Sequence, residues 1–283
     1  MQRRSNRRSR WPGRRRVTAP NEPVNRLHPR ELRERIRSGA WKGHTAGSCT
    51  DFAQANLVVV SAVHAGDFLE FCDRNPAPCP LIEMTHAGES EPRVAAPGAD
   101  LRTDLPLYRV FRYGVRQPDV TDLRAIWRGD LVAFLLGCSF TFEAALQQHG
   151  IPVRHLEYGK NVSMYITDIP CRPAPPFEGP LVVSMRPIPD PLVSKAAAIT
   201  RRFPLAHGAP VHVGDPHTIG ISDLARPDSG DPIPIQADET PVFWACGVTP
   251  QVAAVNAKLD LLITHAPGHM FVTDLTCEDS SGG

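Results

Sequence analysis

The chain has 283 residues, 42% of them hydrophobic and 22% charged, an ordinary balance for a soluble enzyme, and no apolar run approaches the roughly 20 residues that span a bilayer. Its net charge of +1 hides an asymmetry: the first 20 residues carry eight arginines and no acid, leaving 23 basic against 30 acidic residues and a body of about −7. A body of that sign argues against nucleic-acid recognition by the folded part, because phosphates call for a basic surface.

Residues 1–24 read as a disordered arginine-rich tail, with contact to RNA or an anionic surface as its alternative use. The tail lacks the apolar core of a secretory signal. Its composition approaches that of a transit peptide, but Pro12, Gly13 and the scarcity of apolar residues give no amphipathic face. The pattern predicts a charged helix over Leu27–Ile36, a buried strand over Ala55–Val60 and a helix through Asp67–Cys72, broken by Asn75–Pro80. From there to about residue 128 the chain is rich in Pro, Gly and charge, with one strand at Leu107–Arg112. Seven cysteines, at 49, 72, 79, 138, 171, 246 and 277, form no CxxC pair and no zinc spacing. They read as reduced thiols in a cytoplasmic setting.

Three later segments share one design, an apolar strand ending in a polar turn that starts a helix. Leu131–Thr141 runs into Phe142–Leu146 with Ser139 or Thr141 as cap. Leu181–Ile188 is followed by Asp190 as cap and Pro191 at the first helical position. Val242–Val248 is followed by Thr249 as cap and Pro250. The first and third resemble each other as a weak internal repeat. Alternating strands and helices predict an α/β protein with a mixed, largely parallel sheet and flanking helices, plus a second, smaller two-layer α/β domain. Ligands would then lie beyond the carboxyl ends of the strands. The expected larger domain is discontinuous, 25–155 and 236–277, the smaller covers 156–235, and 278–283 form a second tail.

Cys138, Cys246 and His265 all fall at such strand ends. The run His265-Ala-Pro-Gly-His269-Met-Phe-Val-Thr-Asp274 concentrates two histidines around a break that forbids helix. It cannot be a zinc helix, which needs a glutamate beside the first histidine.

Many separated stretches carry a family resemblance. They include Gln54-Ala-Asn-Leu57, Ala99-Asp-Leu-Arg-Thr-Asp-Leu-Pro106, Gly137-Cys-Ser-Phe140, Ser184-Met-Arg-Pro187, Gly214-Asp-Pro216, Phe243-Trp-Ala-Cys-Gly-Val-Thr-Pro-Gln251 and the run ending at Asp274. Over about residues 25–275 the chain resembles the DUF1445 group of hydro-lyases, related to the D-glutamate cyclase module. It departs from that pattern at Cys49-Thr-Asp-Phe52, where Ala-Pro-Gly-Tyr is expected, and at Asp168, which replaces an Asn. The resemblance implies a two-domain α/β fold and a dehydration such as conversion of D-glutamate to 5-oxo-D-proline. Such a reaction needs no redox cofactor.

Within that chemistry His265 and His269 are candidates for acid and base, and Cys138 and Cys246, ahead of helix starts, for a nucleophile. Arg102 and Arg186 suit a substrate carboxylate, unless each is spent on an ion pair, Arg102 with Asp104 for instance. Asp104, Asn56, Gln251 and Asp215 complete the binding set; Asp215 in its Gly-Asp-Pro turn serves equally to close that turn. His207 and His212 suit the same cleft or a domain interface. No metal is required by this reading. Its alternatives are a divalent-metal dehydratase using the histidines with Asp215 or Asp274, and a noncatalytic protein that binds a small carboxylate. The expected partner is a small carboxylic acid, and homo-oligomerisation stays open.

Overall fold

A computed structural model describes residues 26–280, so the arginine-rich tail lies outside the described residues. Helix α1 (Pro29–Arg37) opens with His28 Nδ1 accepting from Arg30 N at 3.3 Å and with Pro at the first helical position, and it lays Leu32 and Ile36 into an apolar cluster with Val272. Then come β1 (Phe52–Ser61), α2 (Ala62–Arg74), β2 (Leu81–Met84), β3 (Tyr108–Arg112), β4 (Val115–Arg116), β5 (Leu131–Gly137), α3 (Phe140–Gln148) and α4 (Arg154–Glu157). The remainder is β6 (Ser163–Pro170), β7 (Pro180–Pro189), α5 (Val193–Arg201), β8 (His212–Val213), β9 (Glu239–Ala245), α6 (Val248–Asn256), β10 (Leu262–His265) and β11 (Phe271–Thr276). Of the carboxyl-terminal tail, Glu278–Ser280 form a 3-10 turn, and Asp279 Oδ2 accepts from Thr276 N at 2.8 Å.

The strands form two sheets, one of seven strands in the order β2-β5-β1-β10-β3-β4 with β11 also on β1, and one of four in the order β6-β7-β9-β8. Every pairing in both is antiparallel, which corrects the expectation of a largely parallel sheet. The continuous apolar runs that suggested parallel pairing have a different cause. β1 and β5 are buried on both faces: Val58, Val60 and Phe134 pack under Phe68 and Phe71 of α2 and Ala253 and Ala254 of α6, while Leu57, Val59 and Leu135 pack under Ala95, Leu101, Leu105 and Leu123. The Pro- and Gly-rich region before residue 128 therefore serves as a covering layer, and double-sided burial removes the alternation expected of an antiparallel strand. In the second sheet Val242 and Trp244 face α3 and α5, and Val183, Met185 and Phe243 face Ile219 and Ile221.

The strand-turn-helix units exist, and Ser139 stands at the cap position of α3, but none of the expected caps bonds its helix through the side chain. Ser139 precedes α3 yet its Oγ accepts from Arg186 Nη2 at 3.0 Å, and Thr141 Oγ1 accepts from Gln54 N at 3.2 Å. Thr249 lies inside α6, its Oγ1 accepting from Val182 N at 3.0 Å, and Gly247 takes the cap position. Asp190 begins a 3-10 turn ahead of α5, and its Oδ1 accepts from Thr240 Oγ1 at 2.6 Å. Ser139 and Gly247 hold the cap positions of α3 and α6 without a side-chain hydrogen bond to the helix, and the hydroxyls tie each turn to a neighbouring strand instead.

Candidate active site

Along one edge β1 pairs with β5, and along the other first with β10 (Val58↔Thr264) and then with β11 (Ala55↔Phe271). Where β10 leaves and β11 arrives, the N–H of Leu57 is taken by the His265 ring, Nδ1 accepting at 3.1 Å. Nδ1 also lies 3.4 Å from Leu57 O, and we assign the ring proton to Nε2 from the shorter of the two contacts. Burial pulls the His265 pKa down to about 4, with the charges of His269 and Arg109 adding to it, so the ring is neutral at pH 7. Gln251 Nε2 lies 3.2 Å from Nδ1 and 3.3 Å from Nε2, equidistant and thus along neither lone pair.

Asn56 joins this histidine to the two thiol turns. Its Nδ2 donates to Gly137 O at 2.6 Å, and it packs so closely on Gly247 that a methyl group there would sit 2.0 Å from Nδ2. Cys138 and Cys246 follow and precede these glycines, each in electrostatic reach of Arg186. Burial raises both thiols, Cys246 to about 11 and Cys138 further, so both are protonated at pH 7 despite the helix starts beside them.

Arg186 is fully buried, its guanidinium between the rings of Phe142 (5.0 Å) and Trp244 (5.5 Å). Nε donates to Glu143 Oε1 at 3.1 Å and Nη1 to Ser184 Oγ at 3.3 Å. His155 Nε2 approaches the same carboxylate to 3.1 Å without the alignment of a hydrogen bond. Burial opposes ionisation of Glu143, but His155 and Arg186 more than offset it and hold its pKa at about 2. Arg186 is therefore the centre of a closed ionic network behind the thiols.

An open cleft of about 450 Å³ is lined by His44, Gly47, Gln147, Lys160, Asn161 and Asp231; none of the cluster's own side chains lines it, and His44 links it to His269. His269 is half-buried, 4.6 Å from the ring of His44, and its Nδ1 donates to Pro267 O at 2.9 Å, which leaves Nε2 as an acceptor. Burial, then His44 and Arg109, lower its pKa. The cleft shares Gly47, Thr50, Gln147 and Leu156 with a pinhole of about 10 Å³ lined by Gln54 and Glu143, where Gln54 Oε1 is buried without a partner.

Asn56, Cys138, Arg186, Cys246, Gln251 and His265 thus converge, with His269 beside them. Arg102, Asp104 and Asp215 are spent elsewhere. Arg102 forks onto Asp100, both contacts at 2.8 Å, and Asp104 receives Arg37 Nε at 2.8 Å and Nη2 at 2.6 Å. Asp215 Oδ1 accepts from His217 N at 3.0 Å and closes its own turn, while His212 Nε2 lies 2.8 Å from Asp215 O. His207 is sealed, its Nδ1 2.8 Å from Ala77 O. Asp274 is held by Arg33 at 2.8 Å, and among the described residues no three His, Cys, Asp or Glu side chains are grouped to hold a metal ion. At the two departures from the family pattern, Cys49 takes a left-handed φ of 47° without glycine and Asp168 packs on Gly220.

Sequence reasoning missed Glu143, His155, His44 and Arg109. Arg109 carried a signal, a charge set between the apolar Tyr108 and Val110 inside a strand; the others become visible only through long-range contact.

The family profile for D-glutamate cyclase matches residues 132–274. A protein of Stutzerimonas stutzeri with a provisional hydro-lyase name is 58% identical over 89% of this chain and 95% of its own length. One from a Thermoanaerobacter species, named likewise, is 58% identical over 89% of this chain and 95% of its length, and one from Geobacillus kaustophilus 57% over 89% and 96%. With relatives of this identity aligned along most of its length, the chain belongs to the D-glutamate cyclase family.

Proposed function

We propose that the chain is a hydro-lyase acting on a small amino or hydroxy acid, most concretely a cyclase that converts D-glutamate to 5-oxo-D-proline and water. The observation that carries this reading is the pair of histidines in opposite tautomers: His269 offers an unprotonated Nε2, and His265 offers an Nε2–H. The provisional hydro-lyase names of the relatives support the same class of reaction.

In the proposed step His269 removes a proton from the substrate ammonium, and the freed amine attacks the γ-carboxyl carbon. The new C–N bond gives a tetrahedral intermediate, from which one C–O bond then breaks, and the departing oxygen leaves as water with the two protons lost by nitrogen returned to it through the histidines. His265 Nε2–H and the Gln251 and Asn56 amides steady the oxyanion of the tetrahedral intermediate. The starts of α3 and α6 and the Arg186 charge add a positive field without moving. With both thiols protonated, the cysteines serve as weak donors in this scheme.

Incubation of the purified chain with D-glutamate, followed by chiral detection of 5-oxoproline, is expected to give the D product, and a His269→Gln variant to lose on the order of 10²–10⁴-fold in rate. Binding of D-glutamate with recovery of unchanged substrate would favour a noncatalytic carboxylate-binding protein. No turnover across a panel of small amino and hydroxy acids would overturn the hydro-lyase reading.

A further inference from the structure

Arg109 is an arginine without a counterion. It stands on β3 opposite Thr264 of β10, so both side chains share the sheet face that α2 and α6 cover. Its side chain is half-buried, Nε is sealed from solvent without a hydrogen-bond partner, and among the described residues no carboxylate pairs with it. The acid in electrostatic reach, Asp119, is forked by Arg116, with Nε donating to Oδ1 at 3.2 Å and Nη2 to Oδ2 at 2.7 Å. The two deeply buried arginines contrast with it: Arg33 donates to Asp274 Oδ1 at 2.8 Å and to Val272 O at 2.7 Å, and Arg186 is matched to Glu143. A desolvated, unmatched guanidinium costs stability, and a fold that matches its other buried arginines keeps this one open.

Its surroundings identify what it would take. Arg109 follows Tyr108, the register partner of His265, and its charge reaches both His265 and His269; His269 in turn stacks on His44, which lines the open cleft. With Nε sealed inside, the Nη1 and Nη2 end of the planar guanidinium is the fork that a carboxylate meets as a two-pronged partner.

We infer that Arg109 is the anchor for a non-reacting carboxylate of a small acid that enters past His44, holding it beside His269. For glutamate this is the α-carboxylate, leaving the γ-carboxyl group to meet the amine. The inference deepens the cyclase reading and rests on it for the identity of the acid, although the anion site can be tested without turnover.

The test pairs two measurements on the full chain, calorimetric binding of glutarate, a dicarboxylate with no amine to cyclise, and turnover of D-glutamate. Wild type is expected to bind glutarate, Arg109→Gln to weaken it on the order of 10–100-fold, and Arg109→Lys, which keeps the charge but not the fork, to fall between. Arg109→Lys should raise KM for D-glutamate while kcat changes little, and Arg109→Gln should melt no lower than wild type. A guanidinium that merely braces the fold would instead lower the melting temperature and spare glutarate binding. Arg109-dependent glutarate binding without turnover would keep the anion site and remove the cyclase reading. Turnover with an unchanged KM in Arg109→Gln would do the reverse. Glutarate binding that ignores both substitutions, or no binding by wild type, overturns the inference.

Discussion

Arg186 and Glu143 are 43 positions apart and both are buried, so each is tolerable only because of the other. Arg186→Met should leave the buried Glu143 carboxylate with only His155 beside it and cost about 3–5 kcal/mol in urea unfolding, whereas Arg186→Met with Glu143→Leu should recover much of that loss. The Glu143 carboxylate, held at about 2 against an ordinary 4.5, contributes stability that is present above 4.5 and is lost as pH falls toward 2. His265 and His207, both at about 4 against an ordinary 6.5, stay neutral in the fold and protonate more readily when unfolded, so stability also declines as pH falls from 6.5 to 4. Urea titrations across this range should show the His265→Asn variant with a shallower slope between 6.5 and 4. At this scale the sequence offered residue types but not partners. An ion pair for Arg186 with some acid was expectable, but Glu143 could be named only once α3 was seen packed across β7.

The two cysteine-bearing turns each turn on a glycine. A methyl group on Gly137 would lie 1.5 Å from the Leu205 carbonyl oxygen, a backbone atom that cannot step aside, whereas on Gly247 it meets the Asn56 side chain. Gly137→Ala should therefore destabilise the protein by more than about 2 kcal/mol or abolish folding, and Gly247→Ala should be largely rescued by Asn56→Ala in a double-mutant cycle read by thermal melting. Strands β1, β5, β7 and β9 and the helices after them were legible because apolar runs and the residues that end them are local signals. The capping atoms were not. Ser, Thr and Asp are the usual caps, and nothing local says that these hydroxyls will turn away from the helix to a neighbouring strand.

Helix α6 is the piece common to both sheets. Thr249 bonds Val182 of β7 through both N–H and C=O, while Ala253 and Ala254 fill the core against β1 and Gln251 reaches His265 of β10. Thr249→Val keeps the shape but orphans the Val182 N–H, an expected loss of about 1–3 kcal/mol, and far- and near-ultraviolet circular dichroism should still follow one coincident transition, because the helix couples the two sheets. Family membership was readable from motifs spread along the chain. Strand direction was not, because burial on two faces writes the same apolar run whichever way the neighbour points. Among the described residues no helix is long and apolar enough to cross a membrane.

The imidazole of His265 serves as a rung of the central ladder. Turning it toward a bound molecule through Nδ1 would strip the Leu57 amide of its acceptor in the middle of the sheet, where no solvent waits to replace it. The ring is thus a stationary reagent, usable only through its far nitrogen, and any substrate must be brought to it.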